Sequence, residues 1–260
     1  MLTCLLARAD DMGATHAANT ACLKTYREGI VRSAEVIVPG PWFDEAATLL
    51  AAEPGLDAGV HLTLTSEWAG CRWRPLTAAP ELCDPDGCFP MLVWPDARFP
   101  AEAALRARPW TMEAVEAEWR AQIETAQRRL PRLSHLTTHM GCESLDPRLP
   151  ALLGQMETEY GLAAARQPLQ PLRPWTAQTP LAARTDALTT AIETLGPGKH
   201  LLVDHPGDES AEMRALANPA LPSVAAERAQ VTATFTAERV LAAVRRRGIR
   251  LIGYREGETL

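Results

Sequence analysis

The chain has 260 residues, 47% of them apolar and 22% charged, and its 26 basic against 32 acidic residues leave a net charge of −6. That length suffices for a substantial buried core, and the acidic balance argues against a nucleic acid or an anionic membrane as general partner. No window approaches the run of about 20 apolar residues that a spanning helix needs, and the N-terminus lacks a basic region followed by a long apolar segment, so a cytoplasmic protein is expected.

Leu2 to Ala7 is a short apolar run that suits a buried strand, and it leads directly into Asp10-Asp11-Met12-Gly13. Adjacent carboxylates repel and are costly to bury unless a cation lies between them or one stays protonated. They could equally cap the following helix, a role Asp fills well, and the pair alone does not choose between these readings. Thr15 to Glu28 carries Ala18, Cys22 and Tyr26 at helical spacing and stops at Gly29. Ile30 to Val38 is rich in β-branched residues and predicts a second strand, Phe43 to Ala52 a helix, and the alternation in Asp57 to Leu64 a third strand containing His61. Residues 65–110 hold Trp68, Trp73, Trp94 and Trp110 among many prolines, with no sustained period. Such a long irregular insertion is expected to form a lid or a substrate rim, with a packed satellite subdomain that makes no ligand contact as the alternative.

Thr111 to Leu130 is a long amphipathic helix with Thr111 as its N-cap and Pro131 as its stop, and Leu133 to Thr138 is a strand that delivers His139. A helix from Leu149 to Tyr160, a strand at Leu162 to Ala165, a helix at Thr185 to Leu195 and a strand from His200 to Asp204 follow, the last ending at His205. After a loop-rich stretch over 206–222, a helix at Ala237 to Arg247 and a strand at Ile249 to Tyr254 close the chain. The six cysteines form no CxxC pair, which argues against a zinc knuckle or a thioredoxin-like site and for free thiols. No GxGxxG follows a strand and no GxSxG elbow occurs.

Strand and helix alternate about seven times without a break in composition. This predicts one α/β domain with about seven parallel strands, either an incomplete (β/α) barrel or an open doubly wound sheet. Parallel α/β folds gather ligands at the carboxyl ends of their strands, and Asp10, Asp11, His61, His139 and His205 all fall there. Two His and an Asp suit a divalent metal, zinc foremost, with open positions for water and substrate. A second carboxylate can take the proton of the water, and the remaining His can give one to the leaving group. His16 is expected to line the mouth of the site. His135 lies too far along its strand from His139 to share an ion, at about 3.3 Å per residue, and is expected to be structural or supporting. His200 opens its strand at the far end.

These residues sit in motifs whose order resembles the YdjC-like carbohydrate deacetylases: ADDMG at Ala9 to Gly13, REGIVRS at Arg27 to Ser33, GVHLTLT at Gly59 to Thr65, SHLTTHMG at Ser134 to Gly141, HPG at His205 to Gly207, and GIRLIGYRE at the close. The resemblance implies a barrel-like (β/α) fold and metal-dependent removal of an acetyl group from an N-acetylated sugar. By the same resemblance Asp11, His61 and His139 are the metal ligands, Asp10 the base and His205 the general acid. The ion is expected to be zinc, with magnesium, cobalt or manganese as alternatives. Where many members read HQHVH, this chain reads His139-Met140-Gly141-Cys142-Glu143, which keeps the ligand and changes the sugar contacts beyond it. Trp68 and Trp73 are candidate platforms for a sugar ring, and His16 and Arg255 complete the candidate saccharide contacts. A homodimer is left open. Two rival readings share the pocket: a non-haem Fe(II) oxygenase with a 2-His-1-carboxylate site, and a sugar-binding protein without activity.

Overall fold

A computed structural model describes residues 2–130 and 132–259. The elements follow the expected alternation: β1 (Thr3–Met12), α1 (His16–Arg27), β2 (Val31–Val36), α2 (Phe43–Ala52), β3 (Asp57–Leu62), α3 (Met112–Arg129), β4 (Leu133–Thr138), α4 (Leu149–Glu159), β5 (Gln170–Pro171), α5 (Arg184–Glu193), β6 (Gly198–Asp204), α6 (Ala211–Ala215), α7 (Val224–Phe235), α8 (Glu238–Arg246), β7 (Arg250–Leu251) and α9 (Tyr254–Gly257). Thr111 caps α3 by accepting the amide proton of Ala114. Pro131, expected to stop that helix, lies outside the described residues.

All seven strands run parallel in the order β4-β3-β2-β1-β6-β5, with β7 also against β1. β6 covers one edge of β1 from Thr3 to Ala9, while β2 joins the other edge only from Ala7, so β7 fits beside Cys4 and Leu5 below it. Among the described residues no ladder joins β4 to β5, and the sheet is a half-barrel with helices around it, the barrel-like α/β fold expected from the alternation. No helix among the described residues is long and apolar enough to cross a membrane.

Four local expectations change. Residues 164–166 form a 3-10 turn, and pairing with β6 moves to the two residues of β5, because Pro168 and Pro171 lack the N–H groups a longer ladder needs. The last strand is only two residues long, and Tyr254 instead starts α9. Helices α6 and α7 were not expected. The α7 sequence VAAERAQVTATF mixes small and β-branched residues, and its buried face includes Arg228, Thr232 and Thr234 beside Val224, Val231 and Phe235, so no purely apolar stripe marks it.

Strand alternation divides β1 between two environments. Leu5, Ala7 and Ala9 belong to the main apolar core, whereas Cys4 and Leu6 join Ala164, Ile252 and Tyr254 in a smaller cluster, with Arg8 and Asp10 next along the same face. Register carries that face across the sheet. Arg8 lies beside Ser33 and Ser33 beside Asp57, while Glu35 lies beside Gly59, Gly59 beside His135, and His61 beside Thr137. The inward row is therefore polar on four neighbouring strands.

Gly59 is the gap in that row. A Cβ there would lie 2.3 Å from His135 Nε2 and 2.6 Å from Glu35 Oε2, so the bond between those side chains crosses β3 only because position 59 has none. Gly59→Ala is expected to destabilise the protein by about 1–3 kcal/mol through overpacking, read as a lower urea midpoint at unchanged slope; a midpoint equal to wild type would contradict the crossing.

Candidate metal centre

The end of β1 turns both carboxylates toward one imidazole. In a regular strand Asp10 and Asp11 would point to opposite faces. Here the register with β2 shifts between Ala9 and Met12, and Asp11 takes a left-handed φ of 70°. Asp is among the few side chains that tolerate this conformation. As a result His61 Nε2 lies 3.8 Å from Asp10 Oδ2 and 3.9 Å from Asp11 Oδ1. His139 arrives from β4, its Nδ1 3.2 Å from the same Asp11 oxygen and its ring 5.2 Å from that of His61. After it the chain reverses through two left-handed residues, Met140 and Gly141.

Asp11, His61 and His139 each offer one donor atom, and these atoms lie within 4.8 Å of one another in a buried setting. Asp11 Oδ1 and His139 Nδ1 are buried and have no hydrogen-bond partner; their 3.2 Å approach lacks hydrogen-bond geometry. Buried polar atoms are almost always paired, and two unpartnered atoms facing each other beside a third donor fit a site that could hold a cation. Two imidazole nitrogens and one carboxylate oxygen form a donor set that suits zinc or a similar divalent ion and leaves room for further ligands.

Every other polar atom of these ligands is engaged. Asp11 Oδ2 accepts from Arg228 Nη2 at 2.7 Å, and the Arg228 guanidinium lies 5.2 Å from the Trp68 ring. His139 Nε2 is 2.9 Å from Glu67 Oε2, and His61 Nδ1 is 2.8 Å from Thr137 Oγ1. Such partners orient the side chains that could hold an ion. Asp10 is gripped at both oxygens by Arg8, at 2.7 and 2.8 Å, and Arg8 also donates to the Tyr254 hydroxyl.

The charges sort these groups. Burial pulls His61 down to about 4 against the opposing pull of Asp10 and Asp11, which leaves it neutral at pH 7. Burial acts the same way on His139, yet Glu67 and Asp11 outweigh it and push that ring up to about 10. Burial would raise the Asp11 carboxyl, but Arg228, His205 and His139 hold it well below the usual carboxylate range. His205 lies at the end of β6 with its side chain 41% exposed and Nδ1 3.5 Å from Asp204 Oδ1. Loss of hydration works against its cation, and the Asp11 charge and the Asp204 partner win, raising its pKa.

The remaining candidates divide. His16 is exposed at the start of α1, bound to Glu45 and 5.2 Å from the Trp42 ring. Trp68 and Trp73 are only 1% and 2% exposed, so they offer no free face to a sugar ring; Trp73 donates Nε1–H to Thr65 O, its ring 6.2 Å from His139. Arg255 is not brought to the cluster. It pairs with Asp57 at the opposite end of β3 and lines a cavity of about 620 Å³ there with Tyr26, Arg32 and Glu256. His135 is fully buried against Glu35, and His200 contacts the Gly196 carbonyl at the start of its strand, both structural placements. Glu67, Arg228, Arg8 and Glu35 were not singled out in the sequence. Glu35 had left a signal, an acid in the middle of the apolar strand IVRSAEVIV; Arg228 had left none.

Comparison with known proteins identifies the family and the fold. The profile described as YdjC-like protein matches residues 4–246, and the chain belongs to that family. Curated relatives named carbohydrate deacetylase include one from Thermus thermophilus, 35% identical over 61% of this chain and 51% of its own length, and one from Halalkalibacterium halodurans, 29% identical over 66% and 68%. This chain therefore spans about half the length of the Thermus relative. A crystal structure from Enterococcus faecalis V583, provisionally described as a cellobiose-phosphate cleavage protein, shares the fold with a TM-score of 0.77 at 22% identity, covering 98% of this chain and 99% of that one.

Glu35 gives the site a measurable pH signature. Burial opposes its charge, but His135 and Arg8 lower its pKa from 4.5 to about 2. A carboxylate with a depressed pKa adds stability above its unfolded value, and that contribution is lost as pH falls through the folded one. Glu35→Gln is thus expected to be less stable than wild type at pH 7, with the difference narrowing between about pH 4.5 and 2; denaturant midpoints across that window test this, and a constant difference would contradict it.

Proposed function

We propose that this protein is a metal-dependent hydrolase that removes the acetyl group from an N-acetylated sugar or small oligosaccharide. The observation that carries the reading is the pair of buried unpartnered atoms, Asp11 Oδ1 and His139 Nδ1, beside His61 Nε2. Membership of the YdjC-like family and relatives named carbohydrate deacetylases support the substrate class. A divalent ion held by Asp11, His61 and His139, zinc foremost, would supply Lewis acidity toward the amide carbonyl and lower the pKa of water.

The residues around that site have separable tasks. Asp10 takes the proton from the attacking water. Arg8 holds both of its oxygens in place. His205, with its raised pKa, carries the proton that the departing amine nitrogen needs when the C–N bond breaks. Water and amide thereby become acetate and a free amine. An Fe(II) oxygenase would use the same three ligands, but it has no need of a flanking base and acid.

Incubation with N-acetylated mono- and disaccharides is expected to release acetate and free amine in equal amounts, to stop with a chelator and to resume with zinc. His61→Ala and His139→Ala are expected to lose the metal, whereas Asp10→Asn keeps it and loses at least 100-fold in kcat, in line with general-base contributions of about 10²–10⁴. Metal retained in both histidine variants, or no acetate from loaded wild type, would end this reading. Because His205 must be protonated to act, kcat/KM is expected to fall as pH rises through a pKa above 6.5, and Asp204→Asn to move that limb to lower pH; an unmoved limb would remove His205 from the role.

A further inference from the structure

A file of hydrogen bonds runs from the candidate metal centre into the barrel. His61 Nδ1 meets Thr137 Oγ1 at 2.8 Å, Thr137 Oγ1 donates to Glu35 Oε2 at 2.7 Å, and Glu35 Oε1 meets His135 Nε2 at 2.7 Å. His135 Nδ1 continues to Ser134 Oγ at 2.7 Å, which donates to Asp57 Oδ1 at 2.7 Å. Five links thus join β3, β4 and β2 and return to the start of β3. Glu35 and His135 have no exposed surface.

The direction of the first links follows from proton counting. Glu35, an anion, can only accept. The one hydroxyl proton of Thr137 is therefore committed to Glu35, and the hydroxyl oxygen can only accept from His61. The His61 proton must then sit on Nδ1, and a neutral imidazole with Nδ1–H carries its lone pair on Nε2, the nitrogen that faces Asp11 and Asp10. With the Thr137 hydroxyl turned the other way, the lone pair would face Thr137 and a proton would face the ion.

We propose that Thr137, oriented by the Glu35 carboxylate, is a positioning residue that sets the His61 tautomer and so prepares the metal site. Nothing in the ligand triad itself selects that tautomer; the carboxylates of Asp10 and Asp11 near Nε2 would by themselves favour a proton there. Glu35 is held in turn by His135 and by the Ser33 hydroxyl, which donates to Oε1 at 3.2 Å. His135 lies against the Tyr254 ring, centroids 4.1 Å apart, and Tyr254 meets Arg8, the partner of Asp10. The same buried layer therefore supports the candidate base and the candidate ligand.

The inference rests on Asp11, His61 and His139 as the metal site, and the experiment separates the two. Thr137→Val keeps the branched shape that suits β4 and removes the hydroxyl; Thr137→Ser restores it. Nitrogen-15 spectra of metal-free protein labelled at histidine read the His61 tautomer without any ion. Wild type and Thr137→Ser are expected to show Nδ1 protonated and Nε2 bare, and Thr137→Val to move the proton toward Nε2. Zinc competition against a chromophoric chelator is expected to show affinity 10–100-fold weaker in Thr137→Val and within about twofold of wild type in Thr137→Ser, while the melting temperature of each variant accounts for any loss of fold. An unchanged tautomer in Thr137→Val would overturn the proposal whether or not zinc binds. A wild type that binds no divalent ion, with the tautomer still shifted in Thr137→Val, would overturn the metal-site reading and leave the positioning role standing.

Discussion

The parallel register of β1 to β4 is the constraint on which this site depends. It places Arg8, Ser33 and Asp57 in one inward rank, Glu35 and His135 in the next with Gly59 between them, and His61 beside Thr137 above. A slip of one residue in any of these strands would turn its polar side chains into the apolar layer under the helices and bring Leu, Val and Ala inward. Charges buried without partners cost several kcal/mol each. Here each has one: Arg8 with Asp10, Glu35 with His135, Asp11 with Arg228, Glu67 with His139. Register and charge pairing enforce each other.

Within that frame the two aspartates, adjacent in sequence, are made different by their neighbours. Asp10 has both oxygens held by a guanidinium and none left unpartnered. Asp11 gives one oxygen to Arg228 and leaves the other facing two imidazoles. The strained φ of Asp11 and the bulge around it achieve this division. One carboxylate is held at both oxygens, and the other keeps one buried oxygen without a hydrogen-bond partner.

The irregular 65–110 segment is attached to the barrel more firmly than a lid would be. Trp68, Trp73, Leu82, Phe89, Val93 and Leu105 enter the main core, and Glu118 on α3 accepts from the amides of Leu76 and Thr77. Its polar contribution to the site is Glu67, delivered against His139 by a segment whose tryptophans serve as packing. The expectation of stacking platforms was drawn from residue type, and burial decided otherwise.

The order of strands and helices, the placing of Asp10, Asp11, His61, His139 and His205 at strand ends, and the supporting place of His135 were legible in the sequence because each depends on local periodicity or on a motif a few residues long. Arg228, Glu67, the opposite placement of Arg255 and the link from Thr137 to Glu35 were not. These contacts join positions 217, 72, 198 and 102 residues apart, and no local pattern encodes which distant side chain will meet a given atom. Tertiary structure decided them, since only the assembled half-barrel sets which polar atoms of the site find partners and leaves Asp11 Oδ1 and His139 Nδ1 without one.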